Sequence, residues 1–230
     1  MAAVLTGEID PGSALSPQVY QMLKEAIIRA DMLPGQRLSD IELAKTWDIS
    51  RQPIREAFMR LQAEDLLDVR PQRGTFVRRI SVPAVLDARF VREAIEADIV
   101  RVVAESAESS VIKELKALLA AQKKLLKQPP VQFMKLDDEF HRTLAEAAGK
   151  PYAWRVIEDV KTQMDRVRFL SFNDFHMERL VSQHADIVSA IAKGQPLDAI
   201  EQMRKHLQGI LKSIDQIACE FPDFFTGEHK

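Results

Sequence analysis

Apolar residues recur at steps of three and four along nearly the whole chain, and one clear break in that rhythm falls at residues 67–77. There Leu67-Asp68-Val69 and Thr75-Phe76-Val77 flank the turn Pro71-Gln72-Arg73-Gly74, the pattern of a short β-hairpin. A chain that is helical on either side of one small hairpin is confined to mainly α architectures. With 8 glycines in 230 residues and 7% aromatics, the composition leans the same way.

Three short helices are expected ahead of the hairpin. Ser16 and Pro17 form an N-cap and first-turn pair, followed by Val19, Met22, Leu23, Ala26 and Ile27 on one face, with Pro34-Gly35 ending the unit. Ser39 opens a second helix carrying Ile41, Leu43, Ala44 and Trp47; Ser50 caps a third, whose packing face is Ile54, Ala57, Phe58 and Leu61. Helix, helix–turn–helix and hairpin over residues 16–79 make the order of a winged helix-turn-helix with a β-hairpin wing. Residues 1–15 lack periodicity and include Pro11-Gly12-Ser13, which predicts a mobile arm.

Beyond the linker Ser81-Val82-Pro83, six helical stretches follow. They run along Val91–Val103, Ser109–Lys127, Val131–Ala148, Pro151–Val167, Phe175–Ala192 and Leu197–Cys219. Short connections predict an antiparallel six-helix bundle over residues 83–220, with 221–230 as a tail.

Charge narrows the function. It interrupts every long apolar run, so no membrane-spanning segment is expected, and the start MAAVLTGEID lacks the form of a secretory signal. A single cysteine, Cys219, fits a reducing compartment. These features predict a soluble cytoplasmic protein without a membrane partner. Net charge is −2 overall, yet residues 51–79 carry seven arginines against Glu56, Glu64, Asp65 and Asp68. Guanidinium groups suit bidentate contact with phosphate or a guanine edge. Arg51, Gln52 and Arg55 crowd the first turn and a half of the third helix, the end that enters the major groove in a helix-turn-helix. Arg73 and Gly74 stand at the hairpin tip, where a wing meets phosphate or minor groove. By pattern alone, an ordinary solvated helix face accounts for the same residues.

A second constellation lies in the bundle. His141 follows Asp137 by four residues, on one helix face; His184 and His206 each sit beside the apolar stripe of another helix. Imidazoles with one carboxylate suit several divalent metals. Three separate half-buried histidines are the other reading of the same spacing. Arg92, four residues before Glu96, is either a clamp for an organic carboxylate or half of a surface ion pair.

The segment PGQRLSDIELAKTWDISRQPIREAFMRLQAEDLLDVRPQRGTFV resembles the DNA-binding domain of GntR-family transcriptional regulators through its PG-x-x-L-S, S-R-x-P-x-R-E-A and R-G-x-x-V elements. The resemblance implies base or phosphate contacts from Arg51, Gln52, Arg55 and the wing around Arg73 and Gly74. Trp47 departs from the family pattern, which places a smaller aliphatic residue followed by glycine there, so a different packing of the turn is expected. Residues 83–214 resemble the FCD effector domain of the FadR subfamily, in its VanR-like branch. The motifs are F-V-R-E-A-I-E, D-x-x-x-H-R-x-L, H-A-D-I-V-S-A-I and M-R-K-H-L. This implies a divalent ion (Zn²⁺, Ni²⁺ or Mn²⁺) on Asp137, His141, His184 and His206, at a pocket for a small carboxylate or sugar-acid effector, with Arg92 as an effector contact. His176 and His229 match no ligand position and are read as surface residues. The expected function is a metabolite-responsive transcriptional regulator, a repressor, that binds palindromic operator DNA as a homodimer. The alternative is a metal-dependent hydrolase or lyase built on the same Asp/His₃ cluster, with Glu96 as its one candidate acid or base.

Overall fold

The computed structural model describes residues 9–10, 12–106, 108–172 and 174–227, without the side chains of 174–176, 210 and 212. The readings of the His176 side chain, of His229 and of residues 1–8 in the arm lie outside the described residues. The chain divides into two compact units, Met1–Val82 with Ala218–Lys230, and Pro83–Ile217.

The first unit runs α1 (Leu15–Ile28), β1 (Arg37–Leu38), α2 (Asp40–Trp47), α3 (Arg51–Ala63), β2 (Leu67–Arg70) and β3 (Gly74–Val77). Its core is assembled from the faces that the periodicity marks: Val19, Leu23 and Ile27 of α1 against Ile54 and Leu61 of α3, closed by Leu66, Leu67 and Val77. Each such side chain removed from water contributes about 1.5–3 kcal/mol. The hairpin is joined by a third strand, giving the antiparallel order β1-β3-β2 with Arg37 opposite Phe76 and Leu67 opposite Val77. Two-residue β1 is too short to carry a period, so it is silent in the sequence.

Helix starts differ in how they are capped. Ser39 caps α2 as expected, its hydroxyl accepting from the Glu42 N–H at 3.3 Å. Ser50 occupies the N-cap position of α3 but makes no side-chain cap bond. Ser16 lies inside α1, which begins at Leu15. Asp10 folds the preceding turn by accepting from the Gly12 N–H and the Ser13 hydroxyl, and Gln18 ties that turn to the helix. After half-buried Trp47, Asp48 ends α2 at φ 52. A short polar side chain tolerates this left-handed position where the family pattern has glycine.

The segment read as a tail is not a free appendage through its described part. Pro222–Phe224 form a 3-10 turn and Phe225 is fully buried. Phe225 bridges Ile80 in parallel, with the Ile80 N–H donating to Phe224 O at 2.7 Å and the Thr226 N–H to Ile80 O at 2.9 Å. Two apolar side chains and two backbone hydrogen bonds anchor it at Ile80, just before the linker.

The second unit is helical: α4 (Val82–Ser106), α5 (Ser109–Lys124), α6 (Pro130–Ala147), α7 (Pro151–Val160), α8 (Thr162–Ser171), α9 (Asp174–Ala192), α10 (Pro196–Leu207) and α11 (Ile214–Glu220), the last running on into the first unit. The mainly α class with an N-terminal winged helix-turn-helix holds, and all six helical stretches are present. Two are divided. One is interrupted at Lys161, whose buried ammonium binds Asp138 and Asp165 at 2.8 and 2.5 Å. The other is interrupted by the 3-10 turn Gln208–Lys212, which contains Gly209. Apolar residues keep helical phase across both breaks, which conceals them. α9 packs on α5 and α10, and α6 on α5 and α7, around Val100, Leu115, Phe140, Leu144, Ile187 and Met203. Among the described residues, no helix is long and apolar enough to cross a membrane.

Candidate functional site

α6 presents Asp137 and His141 one turn apart, α9 supplies His184, and α10 supplies His206. All four are buried, and one ligand atom from each lies within 4.8 Å of the others. The rings are oriented from behind. His184 Nδ1 lies 2.9 Å from Gln122 Oε1, His206 Nδ1 lies 3.2 Å from Gln183 Oε1, and His141 Nδ1 meets Glu96 Oε2. Gln122 also donates its amide to Leu136 O at 3.1 Å, so its Oε1 faces the ring and the His184 proton sits on Nδ1. Gln183 Oε1 accepts the ring proton of His206 on Nδ1 in the same way, and Glu96 stands on the Nδ1 side of His141, so all three Nε2 atoms turn inward.

These nitrogens have little to meet but each other and Asp137. His141 and His206 Nε2 are 3.3 Å apart, and His184 Nε2 is 3.5 Å from Asp137 Oδ1. Neither His184 Nε2 nor Asp137 Oδ1 has a hydrogen-bond partner. Buried polar atoms left this way cost about 1–3 kcal/mol each, whereas a divalent cation satisfies all four at once. Burial lowers His184 to about 3 and, with the neighbouring imidazoles, lowers His206 well below its ordinary value, so both rings are neutral at pH 7 as ligation requires. Burial works to raise the Asp137 carboxyl, but the Arg168 guanidinium, 2.5 Å from Oδ2, overrides it and holds the group ionised far below the usual carboxylate range. Oδ1 is thereby left for an ion. The donor set, three imidazole nitrogens and one carboxylate oxygen, fits a divalent metal.

His206 also lines a half-open cavity shared with Arg92, Arg168, Arg179, Gln183 and Ser213 among others. Arg92 is no surface residue: it is 2% exposed, with Nε 2.7 Å from Glu96 Oε1. Burial works to raise Glu96, but Arg92 and His141 overcome it and hold the carboxyl at about 2. The one acid or base that a hydrolase reading could invoke is therefore a fully engaged, ionised partner of Arg92 and His141. Arg168, Arg179, Gln122 and Gln183 are the site residues that sequence reasoning did not single out.

In the first unit, α3 carries Arg51, Gln52 and Arg55 at its start, with the buried face Ile54, Ala57, Phe58 and Leu61 turned the other way. Arg51 Nη2 and Arg55 Nε both reach Asp40 Oδ2, at 2.9 and 2.8 Å, while their side chains stay 46% and 56% exposed. Burial works to raise Asp40, but Arg55 and Arg51 lower it below its ordinary value. Gln52 donates to Glu56 Oε1 at 3.0 Å. Arg73 is exposed at the hairpin turn. Gly74 adopts φ +114, and a Cβ there would stand 2.7 Å from Arg37 Nε, so the close approach it permits is to Arg37 of the neighbouring strand.

The sequence pattern of bacterial regulatory proteins of the gntR family matches residues 15–77, and that of the FCD domain matches residues 87–209. The chain belongs to the GntR family. This GntR regulator is 37% identical over 224 residues to the HTH-type transcriptional repressor RspR of Escherichia coli (strain K12), covering 96% of this chain and 98% of that one. It is 30% identical over 185 residues to the Nta operon transcriptional regulator of Aminobacter aminovorans, covering 80% and 85%. Its fold is shared with the solved structure of E. coli McbR/YncC at a TM-score of 0.74 and 18% identity, over 91% of this chain and 99% of that one. Membership makes the protein a DNA-binding transcription regulator and not an enzyme, and the hydrolase alternative falls.

Proposed function

We propose that this GntR regulator is a metal-dependent, metabolite-responsive repressor acting in the cytoplasm. Operator contacts are assigned to Arg51, Gln52 and Arg55 on α3 and to the wing at Arg73 and Gly74. One recognition helix reads few base pairs, so a homodimer on a palindromic operator supplies the second half-site. The metal ligands are Asp137, His141, His184 and His206, holding Zn²⁺, Ni²⁺ or Mn²⁺. A bound ion supplies a Lewis-acidic anchor for a small carboxylate or sugar acid in the cavity that His206 shares. Arg92, oriented through Nε by Glu96, is the chain's own contact for that carboxylate.

The observation that carries this reading is the convergence of three inward imidazole nitrogens and an unpartnered carboxylate oxygen beside an arginine-lined cavity. The relative named as a repressor supports the direction of control. The test is metal analysis of protein purified without a polyhistidine tag, beside His184→Ala and His206→Ala, followed by operator gel shifts of the metal-loaded protein. One ion per chain is expected, lost in both variants and retained well below pH ~6.5, because burial holds the His184 imidazole at about 3 and His206 well below its ordinary value. Equal, substoichiometric metal in all three proteins refutes the site.

A further inference from the structure

The charge inventory of the cavity is lopsided. Among the described residues, its lining contains three guanidinium groups, Arg92, Arg168 and Arg179, and no carboxylate. Two of them are neutralised from outside the lining: Arg92 by Glu96, and Arg168 by Asp137 and by Asp165 at 3.5 Å. Arg179 is different. It is half-buried on α9 and has no ion-pair partner among the described residues. Its Nη2 lies 3.6 Å from where a Cβ of Gly209 would stand, so the guanidinium rests on the 3-10 turn at Gln208–Lys212. A half-buried guanidinium without an ion-pair partner among the described residues is available to an arriving anion.

The balance sets the charge of that anion. Arg92 cancels Glu96, Arg168 cancels Asp165, and Lys161 cancels Asp138, each pair in direct contact. Of the groups named, a divalent ion, Asp137 and Arg179 remain, with a net charge of +2, and buried Arg166 of α8 only adds to the positive side. A monoanion leaves half of that uncompensated. Ser171, Ser213 and Gln183 add neutral hydrogen-bonding groups to the same lining, which suits a polar ligand body over an apolar one.

We infer that the cavity binds an organic dicarboxylate, one carboxylate where Arg92, Arg168 and His206 adjoin the metal cluster and the second paired with Arg179. The inference rests on the effector reading above and deepens it by fixing the charge of the ligand.

The test is calorimetric titration of the full-length, metal-loaded protein with two matched pairs, butyrate against succinate and gluconate against glucarate. Within each pair the carbon chain is the same length and the diacid carries the second carboxylate. The diacid is expected to bind about 10-fold or more tightly in at least one pair, the scale of one charge-assisted hydrogen-bonded contact. Arg179→Gln should abolish that preference by bringing the diacid down to the affinity of the monoacid, and Arg179→Lys, which keeps the charge, should retain part of it. Equal affinities within both pairs, or a preference that survives Arg179→Gln, overturn the dicarboxylate assignment alone. Failure of all four acids to bind overturns the carboxylate-effector reading beneath it as well.

Discussion

Both units of this GntR regulator pair arginine with carboxylate, and they do so under opposite conditions. In the first, Arg51 and Arg55 share the Asp40 carboxylate while remaining about half exposed. In the second, Arg92–Glu96 and Arg168–Asp137 are enclosed, with both carboxylates fully buried or nearly so. Exposed pairs are worth about 0–1 kcal/mol because water screens them and the side chains lose entropy. Such bonds are readily exchanged for a phosphate or a base edge. Breaking one partner of an enclosed pair costs about 3–5 kcal/mol, since the remaining charge is stranded. One unit thus keeps its charges available to an outside partner, while the other spends them on holding ligand atoms still.

The sharpest way to break this contrast is Asp137→Ala. It takes from Arg168 the nearer of its two carboxylates, leaving Asp165 at 3.5 Å, and removes one of the four proposed metal donors, so a loss of about 3 kcal/mol in urea unfolding is expected together with loss of metal. Wild-type stability in this variant would mean that Arg168 finds other partners and that the enclosed pair is not structural.

Next in size is the mirror experiment on the first unit. Arg51→Ala or Arg55→Ala should leave the unfolding midpoint nearly unchanged, as exposed substitutions do. Operator affinity should fall by about 1–3 kcal/mol for each half-site that an arginine no longer reads. Gel shifts at fixed salt measure the second effect and urea unfolding the first. A variant that binds operator like wild type places the reading surface elsewhere on the unit.

The same divide governs what the sequence reveals. Local periodicity carried the first unit almost entirely, because α1, α2, α3 and the hairpin each close within a few residues. β1 and the Phe225–Ile80 pairing escaped, since each depends on a distant partner rather than on a local pattern. In the second unit the Asp137–His141 spacing was legible because one helix fixes it. Gln122 left a signal that was not used: a polar residue in helical phase with Leu115 and Leu119, where a core side chain belongs. Arg92 and Glu96 were visible as a pair four apart, but their burial depends on which helices meet them, and so did the arrival of Arg168 and Arg179 in the same cavity.

The finest probe of the contrast is Asp40→Asn. The carboxylate Oδ2 accepts from Arg51 Nε and Nη2 and from Arg55 Nε, at 3.2, 2.9 and 2.8 Å, so one anion orients both of the arginines proposed to read DNA. An amide oxygen in its place is a weaker acceptor with no charge to hold two cations together. Stability should change by less than about 1 kcal/mol, because both arginines are largely solvated. DNA binding should change in two directions at once. Removing a negative charge beside the reading helix favours any phosphate backbone, so affinity for non-specific duplex should rise and its dependence on salt should steepen. Operator affinity should gain less, because guanidinium groups no longer held in register make poorer bidentate contacts with base edges. The expected readout is a severalfold fall in the ratio of operator to non-specific affinity, measured by competition gel shifts across a salt series. If the ratio is unchanged while both affinities rise together, Asp40 is a counter-ion only, and the arginines of the first unit are oriented by the DNA rather than by the protein.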